Sequence, residues 1–227
     1  MNKKETTSPK AIRLERERRQ RRQAIIDVAR EFFIKHGYDE TKVDGIANEV
    51  GYTKVTIYNY FESKDDLFAA VIAEIYVKLY KIMETHLNQE DVPYELRSMG
   101  EAYVIFFKRH SEDALLFEAG RLSVVTSSIQ KKIANNEKLT ESEREFSEQM
   151  KRLEKLMTSI ITETMKRSGV EGKVDPFSVI MALSTLAQAI RTLISRGMMS
   201  GRPEETTKEY LSVFFTIIDK GLRHFDD

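Results

Sequence analysis

Two side chains of one short segment, those of Val55 and Asn59, have the types and spacing needed to read the edges of nucleic-acid bases. At about 100° per residue, Ile57 and Phe61 share one helix face, and Val55 and Asn59 lie roughly opposite them. An Asn amide can pair bidentately with adenine, and an apolar Val can pack on a thymine methyl group. The other residues on this outward side are Thr56 and Tyr58, with Lys54 near the N-terminal end. The alternative is an ordinary surface face of a small helical corner.

Two very short helices and the start of a third are expected around this segment. Thr41 is expected to cap the first helix, with Asp44 three residues later in a capping-box-like position. Gly51 stands where that helix needs a left-handed residue after its end. Thr53 and Ser63 are expected to cap the next two helices. Helices this short persist only when they are packed, so the pattern predicts a compact helix-turn-helix.

Positive charge is concentrated at the N-terminal end of a chain whose formal net charge is zero. The first 22 residues hold nine Lys and Arg against three Asp and Glu. A basic end on a neutral chain suits a polyanionic partner for that end only. The arginines expected to contact phosphate are Arg13, Arg16, Arg18, Arg19, Arg21 and Arg22. For residues 1–10, a solvated and partly disordered tail is the alternative.

Composition narrows the class of protein. The 227 residues include no Cys, only four Pro and ten Gly, which favours an all-α protein without disulfides or thiol chemistry. The sequence has no apolar run long enough to predict a transmembrane helix, and its charged N-terminus lacks the pattern of a secretory signal. We therefore expect a cytoplasmic location and no membrane partner. We find no phosphate-binding loop, metal-ligand spacing or nucleophile motif, and therefore expect no enzyme activity, cofactor or metal.

The hydrophobic period continues as helices to the end of the chain. The expected helices span residues 63–87, 93–110, 113–122, 127–136, 140–167, 176–198 and 204–223. The last two are apolar on more than one face, which favours self-association over the alternative of a monomeric bundle core. We divide the chain into a basic N-terminal extension (1–22), a helix-turn-helix domain (23–67) and a larger helical domain (68–227).

A stripe of polar residues interrupts the apolar helix that begins near Pro176. Such a stripe can form the wall of a pocket, where a few polar groups orient an apolar ligand. The alternative, the solvated side of the helix, is at least equally consistent with the pattern. The candidate pocket residues, including aromatic and Met side chains that plain core packing would also explain, are Tyr103, Phe107, Phe117, Met157, Ser184, Gln188 and Arg191.

Residues 25–68 resemble the DNA-binding domain of the TetR family of bacterial transcriptional regulators. The matching positions agree in residue type and in spacing over more than 40 residues. They are Ala29, Phe32 or Phe33, Gly37, Tyr38, Thr41, Val43, Ile46, Ala47, Val50, Gly51, Thr53, Ile57, Tyr58, Tyr60, Phe61, Lys64 and Leu67. One position departs from the pattern: the family usually has Gly or Ala where this chain has Val55. The rest of the chain resembles the family in length and helical content alone.

The resemblance implies a homodimeric regulator that binds a palindromic double-stranded operator. The helix from Thr53 would enter a major groove in each half-site. A largely apolar small-molecule effector would release the protein by favouring a different spacing of its two DNA-binding heads. An activator, an effector-independent architectural DNA-binding protein and a helical module that binds a protein partner remain alternatives to a repressor.

The resemblance and the helix geometry together define two residue sets. The expected DNA contacts are Thr41, Lys42, Thr53, Lys54, Val55, Thr56, Tyr58, Asn59, Tyr60 and Lys64. Lys64 enters this set because it begins a helix whose N-terminal dipole already favours an anion. The last two helices would form a four-helix dimer interface, with Leu186, Ile190, Phe214 and Ile218 at its centre.

Overall fold

The architecture is all-α, as the sequence predicts. A computed structural model describes residues 8–90, 96–118, 120–167, 169, 171–183, 185 and 216, and these ranges contain no strand. Within them the helices are α1 (Pro9–Glu40), α2 (Val43–Val50), α3 (Lys54–Tyr58), α4 (Lys64–Leu87), α5 (Leu96–Arg109), α6 (Ser111–Glu118), α7 (Arg121–Ala134) and α8 (Glu141–Arg167). Residues 176–183 are also helical.

Helix α1 carries the basic stretch directly into the helix-turn-helix. Ser8 caps its start by accepting a hydrogen bond from the backbone N–H of Ala11, and Pro9 occupies the first turn, where a missing N–H costs nothing. Gly37 breaks the helical geometry with a φ of 75° and a ψ of 168°. The first helix therefore reaches its expected end at Gly37, and only a short turn follows.

Apolar side chains from α1, α2 and α3 form the core of the N-terminal domain. Ile57 and Phe61 are each only 1% exposed, and burial of two such side chains contributes roughly 3–6 kcal/mol. Gly45 allows α2 to lie against α1, because a Cβ atom there would come within 2.9 Å of Cε1 of Phe32. Gly51 ends α2 in the left-handed conformation, with φ 76°, as expected.

One predicted cap is wrong. Lys42, not Thr41, is the N-cap residue of α2, and it makes no side-chain capping hydrogen bond. The Thr41 hydroxyl instead donates to the carbonyl oxygens of Gly37 at 2.6 Å and Phe32 at 3.1 Å. The hydroxyl binds at the end of α1 because the break at Gly37 leaves carbonyl groups there without helical partners.

Helix α4 joins the two parts of the structure. The Ser63 hydroxyl caps it by accepting from the N–H of Asp66 at 3.1 Å. Its buried side packs on α1, α5 and α8, and Tyr76 meets Phe117 and Phe146 edge-on, with ring centroids 5.5 and 5.6 Å apart. The domain boundary that the sequence predicts between residues 67 and 68 therefore lies within a continuous helix.

Helix α8 begins with the expected capping box. The Thr140 hydroxyl accepts from the N–H of Glu143 at 3.1 Å, and the Glu143 carboxylate accepts from the N–H of Thr140 at 3.0 Å. The boundary expected between residues 122 and 127 is wrong, because α7 runs without a break from Arg121. Val125 and Ile129 are buried on its inner side and hold it as one helix.

Several predictions concern residues outside the described ranges. They are the dimer residues Leu186, Ile190, Phe214 and Ile218, and the pocket residues Ser184, Gln188 and Arg191. Asp175 does cap the helix that leads toward them, since its carboxylate accepts from the N–H of Ser178 at 3.0 Å. In the described part of the chain, no helix combines the length and apolarity needed to cross a membrane.

Candidate nucleic-acid interface

Helix α3 presents the outward face that its sequence predicts. Val55 is 71% exposed and Tyr58 is 43% exposed, and Asn59 is exposed just beyond the last helical residue. Ile57 and Phe61 face the core. An apolar side chain as exposed as Val55 gains nothing from water, so a partner surface that covers it would be favourable.

The N-terminal end of α3 is fixed by its own side chains. The Thr53 hydroxyl accepts from the N–H of Thr56 at 3.1 Å, which confirms the expected cap. Lys54 Nζ donates to Asp44 Oδ2 at 2.8 Å, and this hydrogen bond raises the pKa of Lys54. The ammonium is therefore tied to the start of α2, at the same end of the helix pair.

Thr41 and Lys42 differ sharply in accessibility. Thr41 is 2% exposed and its hydroxyl is engaged with two carbonyl groups, so its side chain offers little surface for the predicted DNA contact. The burial follows from its place at the end of α1. Lys42 is exposed and sits before the first turn of α2, where a cation is free to reach outward.

Lys64 lies at the start of α4, beside the end of α1. Its ammonium is 4.2 Å from the centroid of the Tyr38 ring and donates to the Asp39 carbonyl oxygen at 3.3 Å. Partial burial lowers the pKa of Lys64, although neighbouring carboxylates oppose that shift. Tyr60 is half-buried, with the Arg18 guanidinium 5.8 Å from its ring centroid.

The innermost arginine of the basic stretch faces the larger domain. Arg22 is buried and donates to the Glu145 carboxylate at 2.6 Å and to the Ser142 hydroxyl at 3.1 Å. Its prediction as a phosphate contact is therefore wrong. Arg18 also reaches α8, donating to Glu141 at 3.2 Å, but it stays largely exposed. These pairs fix α1 to the N-terminus of α8.

The remaining arginines of the stretch are exposed on α1. Arg13 pairs with Glu17 and Arg19 with Glu15, each four residues apart along the helix, and such exposed pairs hold their arginines weakly. Arg16 and Arg21 are exposed and form no ion pair with any residue that the structure describes. Among the arginines of this stretch, these two have no carboxylate partner in the part of the chain that the structure describes.

A cluster that the sequence did not reveal lies next to Lys64. Arg121, from the first turn of α7, donates to both carboxylate oxygens of Asp65, with Nε to Oδ1 at 2.7 Å. The Tyr38 hydroxyl donates to the same carboxylate, and the Arg121 guanidinium carbon is 4.7 Å from the Tyr38 ring centroid. The sequence shows the acidic first turn of α4 but not its partner, because Arg121 is 56 residues away from Asp65 in the chain.

Three of the predicted pocket residues come together in the larger domain. The Tyr103 and Phe107 rings are 4.5 Å apart at their centroids, and Phe107 and Phe117 are 6.1 Å apart. Met157 lies on α8, half-buried against the same core. The structure thus forms an aromatic cluster between α5 and α6. Among the described residues, no group of His, Asp and Glu has the arrangement of a metal site.

Comparison with known proteins agrees with this geometry. Residues 25–71 match the family model described as bacterial regulatory proteins, tetR family. Over these residues the chain is similar to the DNA-binding domain of the TetR family. The match covers α1 from Ile25, the helix pair α2 and α3, and the first turns of α4, which together carry the exposed face of Val55.

Similarity to curated transcriptional regulators is confined to part of the chain. An uncharacterised HTH-type transcriptional regulator YdgC from Bacillus subtilis is 32% identical over 76 residues, which are 31% of this chain and 39% of the relative. The fatty acid metabolism regulator protein of B. subtilis is 29% identical over 75 residues, 33% of this chain and 39% of the relative. The chain thus spans well under half the length of these two relatives.

A solved structure extends the likeness in fold to most of the chain. The transcriptional regulator FadR from B. subtilis, in complex with stearoyl-CoA, matches with a TM-score of 0.51 and 20% sequence identity. The match covers 89% of this chain and 97% of that one. At this identity the match establishes a common fold alone.

Proposed function

We propose that this protein is a homodimeric transcriptional regulator that binds a palindromic operator. The observation that carries the proposal is the segment from α3 to Phe61, which buries Ile57 and Phe61 and exposes Val55, Tyr58 and Asn59 on its other side. A helix with this outward face, held in a helix-turn-helix, fits the width of the DNA major groove. The match of residues 25–71 to the tetR family model supports the same function.

Each side chain of the interface has a defined role under this proposal. Val55 and Asn59 face base edges, while Tyr58, Thr56 and Thr53 lie beside the groove. Cations around the helix pair contact phosphate and provide affinity that does not depend on sequence. These cations are Lys42, Lys54 and Lys64, with Arg16 and Arg21 on α1.

The larger domain is proposed to bind a ligand with a long apolar chain, of the acyl-CoA class. The aromatic cluster of Tyr103, Phe107 and Phe117 provides apolar walls that suit an alkyl chain. Two similar proteins point the same way by name, since one regulates fatty acid metabolism and another was solved with stearoyl-CoA. Binding of such a ligand would change DNA affinity by the difference between its affinities for the free and DNA-bound states. Release of a repressor is the favoured outcome.

The test begins with selection of binding sites from randomised palindromic duplexes, followed by fluorescence anisotropy with the selected duplex. We expect salt-dependent, sequence-selective binding, which stearoyl-CoA weakens and free coenzyme A does not. The coenzyme A control separates recognition of the acyl chain from competition by a polyanion. Absence of salt-dependent binding would favour a module that binds a protein partner. DNA binding without a response to stearoyl-CoA would refute the acyl-CoA effector, and tightened binding would indicate an activator.

A further inference from the structure

The first turn of α4 places a cation and an anion side by side. Lys64 and Asp65 are neighbours in sequence, and each affects the titration of the other. Yet the Lys64 ammonium lies on the Tyr38 ring and the Asp39 carbonyl, and it forms no ion pair with Asp65. Another group must therefore pair with the Asp65 carboxylate.

Arg121 supplies that partner from outside the N-terminal domain. Its planar guanidinium binds both oxygens of Asp65, an arrangement that fixes orientation as well as charge. Burial alone would raise the pKa of Asp65, but hydrogen bonds from Arg121 and Tyr38 outweigh it, and the pKa is held below its usual value. Asp65 is thereby kept as an anion whose acceptor sites are occupied.

The Tyr38 ring completes the arrangement. It packs on Phe33 and Phe68, with ring centroids 5.7 and 5.3 Å away, so the core fixes its position. Two cations, the Lys64 ammonium and the Arg121 guanidinium, lie within 5 Å of its centroid. A lysine side chain is flexible, so a fixed aromatic surface beside it favours one placement of its ammonium.

We infer that Arg121 is a positioning residue that occupies Asp65 and so leaves the Lys64 ammonium available to a DNA phosphate. Without Arg121, the free carboxylate of Asp65 would capture the neighbouring ammonium and add a negative charge beside the DNA backbone. Because Arg121 belongs to α7, a shift of that helix in the larger domain would change a phosphate contact in the smaller one. The inference rests on the proposed function and assigns one route for its regulation.

The experiment measures how log Kobs for a duplex depends on log salt concentration, in the full-length protein. Each phosphate contact contributes about 0.9 to this slope for double-stranded DNA. We expect Lys64→Ala and Arg121→Gln each to reduce the slope by about 0.9. The variant that combines both substitutions should show the same reduction as either one alone. Adding Asp65→Asn to Arg121→Gln should restore the wild-type slope, because no carboxylate then competes for Lys64.

The matched control is Arg152→Gln on α8. Arg152 also lies over a tyrosine, 3.8 Å from the ring centroid of Tyr80, and approaches Glu84 at 3.9 Å. Glu84 follows Asp65 by 19 residues of α4, about 28 Å along the helix axis. The control should leave the slope unchanged. A melting curve for each variant shows that the DNA data come from folded protein.

The possible outcomes separate the inference from the proposed function. A wild-type protein that shows no salt-dependent DNA binding overturns both. If the wild-type protein binds DNA, an unchanged salt slope in Lys64→Ala or in Arg121→Gln overturns the inference alone. The same holds if the slope of the Lys64→Ala, Arg121→Gln double variant falls by about 1.8, or if Asp65→Asn does not restore the slope of Arg121→Gln. If Arg121→Gln unfolds, Arg121→Lys replaces it. An unchanged slope in Arg121→Lys supports neutralisation of Asp65, and a loss of about 0.9 overturns it.

Discussion

The carboxylate of Asp113 on α6 accepts hydrogen bonds from Arg30 of α1 and from Lys78 of α4, the latter at 3.1 Å. No part of the Asp113 side chain is exposed to solvent. His110 Nδ1 is 3.7 Å from the same carboxylate. One buried anion thus binds cations from two other helices, and it holds the start of α6 against the N-terminal domain.

We therefore expect Asp113→Asn to lower the free energy of unfolding by roughly 3 kcal/mol, because removing one partner of a buried ion pair leaves uncompensated charge. The control is Glu112→Gln at the preceding residue. The Glu112 side chain is exposed, and its carboxylate is 4.0 Å from Arg30, too far for a hydrogen bond. It should change stability by less than about 0.5 kcal/mol. Urea denaturation of both variants measures the difference, and equal midpoints for them would contradict the assigned role of Asp113.

Local signals in the sequence were sufficient for the helix-turn-helix. The buried pair Ile57 and Phe61, the left-handed Gly51 and the caps at Thr53 and Ser63 all depend on neighbours within a few residues. Thr41 was misassigned because two groups compete for one hydroxyl, and the broken end of α1 binds it rather than the start of α2. Such competition depends on the bend at Gly37 and not on residue spacing.

The contacts between the two domains could not be read from the sequence. Arg22 belongs to a row of similar arginines, and nothing local separates it from Arg21, which stays exposed. Its partners on α8 are more than 100 residues away in the chain. The contact between Arg121 and Asp65 is equally unpredictable from the sequence. Helical periodicity identifies which face of a helix is buried but not which other helix covers that face.

The stability of the protein in acid should depend on Asp65. Since its pKa is lower in the folded state, Asp65 contributes stability above its unfolded pKa of about 3.9, and this contribution is lost as the pH falls through the folded pKa. Asp65→Asn removes the contribution at every pH. Urea midpoints should therefore differ most above about pH 5 and converge in stronger acid. A gap that stays constant down to pH 2 would contradict the assignment.

Dimerisation is predicted to depend on the C-terminal segment, where the sequence predicts two helices that are apolar on more than one face. We expect Leu186→Glu or Phe214→Glu to give a monomer, because a charge placed in an apolar interface stays desolvated and unpaired. Light scattering at micromolar concentration measures the change. Ile12→Glu is the control, since Ile12 is exposed on α1 and should leave the dimer intact. A monomeric wild-type protein would refute the prediction.

Two arginines of α1 should contribute affinity that is independent of DNA sequence. Arg16 and Arg21 have no ion pair in the described part of the chain, so Arg16→Gln and Arg21→Gln should each reduce the salt slope by about 0.9. Arg22→Gln should leave the slope unchanged, because that side chain faces Glu145 and not the solvent. Anisotropy titrations at several salt concentrations measure all three. Equal slopes for every variant would mean that α1 lies away from the DNA.

Val55 is expected to set one base preference of the operator. It is 71% exposed on the face opposite Ile57, and its methyl groups can pack on a thymine methyl group. Val55→Gly should relax the preference at one thymine position by about 1 kcal/mol, the low end for a good base contact. It should leave the fold intact, although Gly in a helix costs roughly 1 kcal/mol of stability.

The control for this substitution is Val55→Ala, which removes the two γ-methyl groups that would touch thymine but keeps good helix propensity. If base contact sets the preference, Ala and Gly relax it alike, and only Gly lowers the melting temperature. If backbone flexibility sets it, Gly alone changes the preference. Site selection over randomised palindromes with the three proteins distinguishes these results, and identical preferences in all three would show that Val55 touches no base.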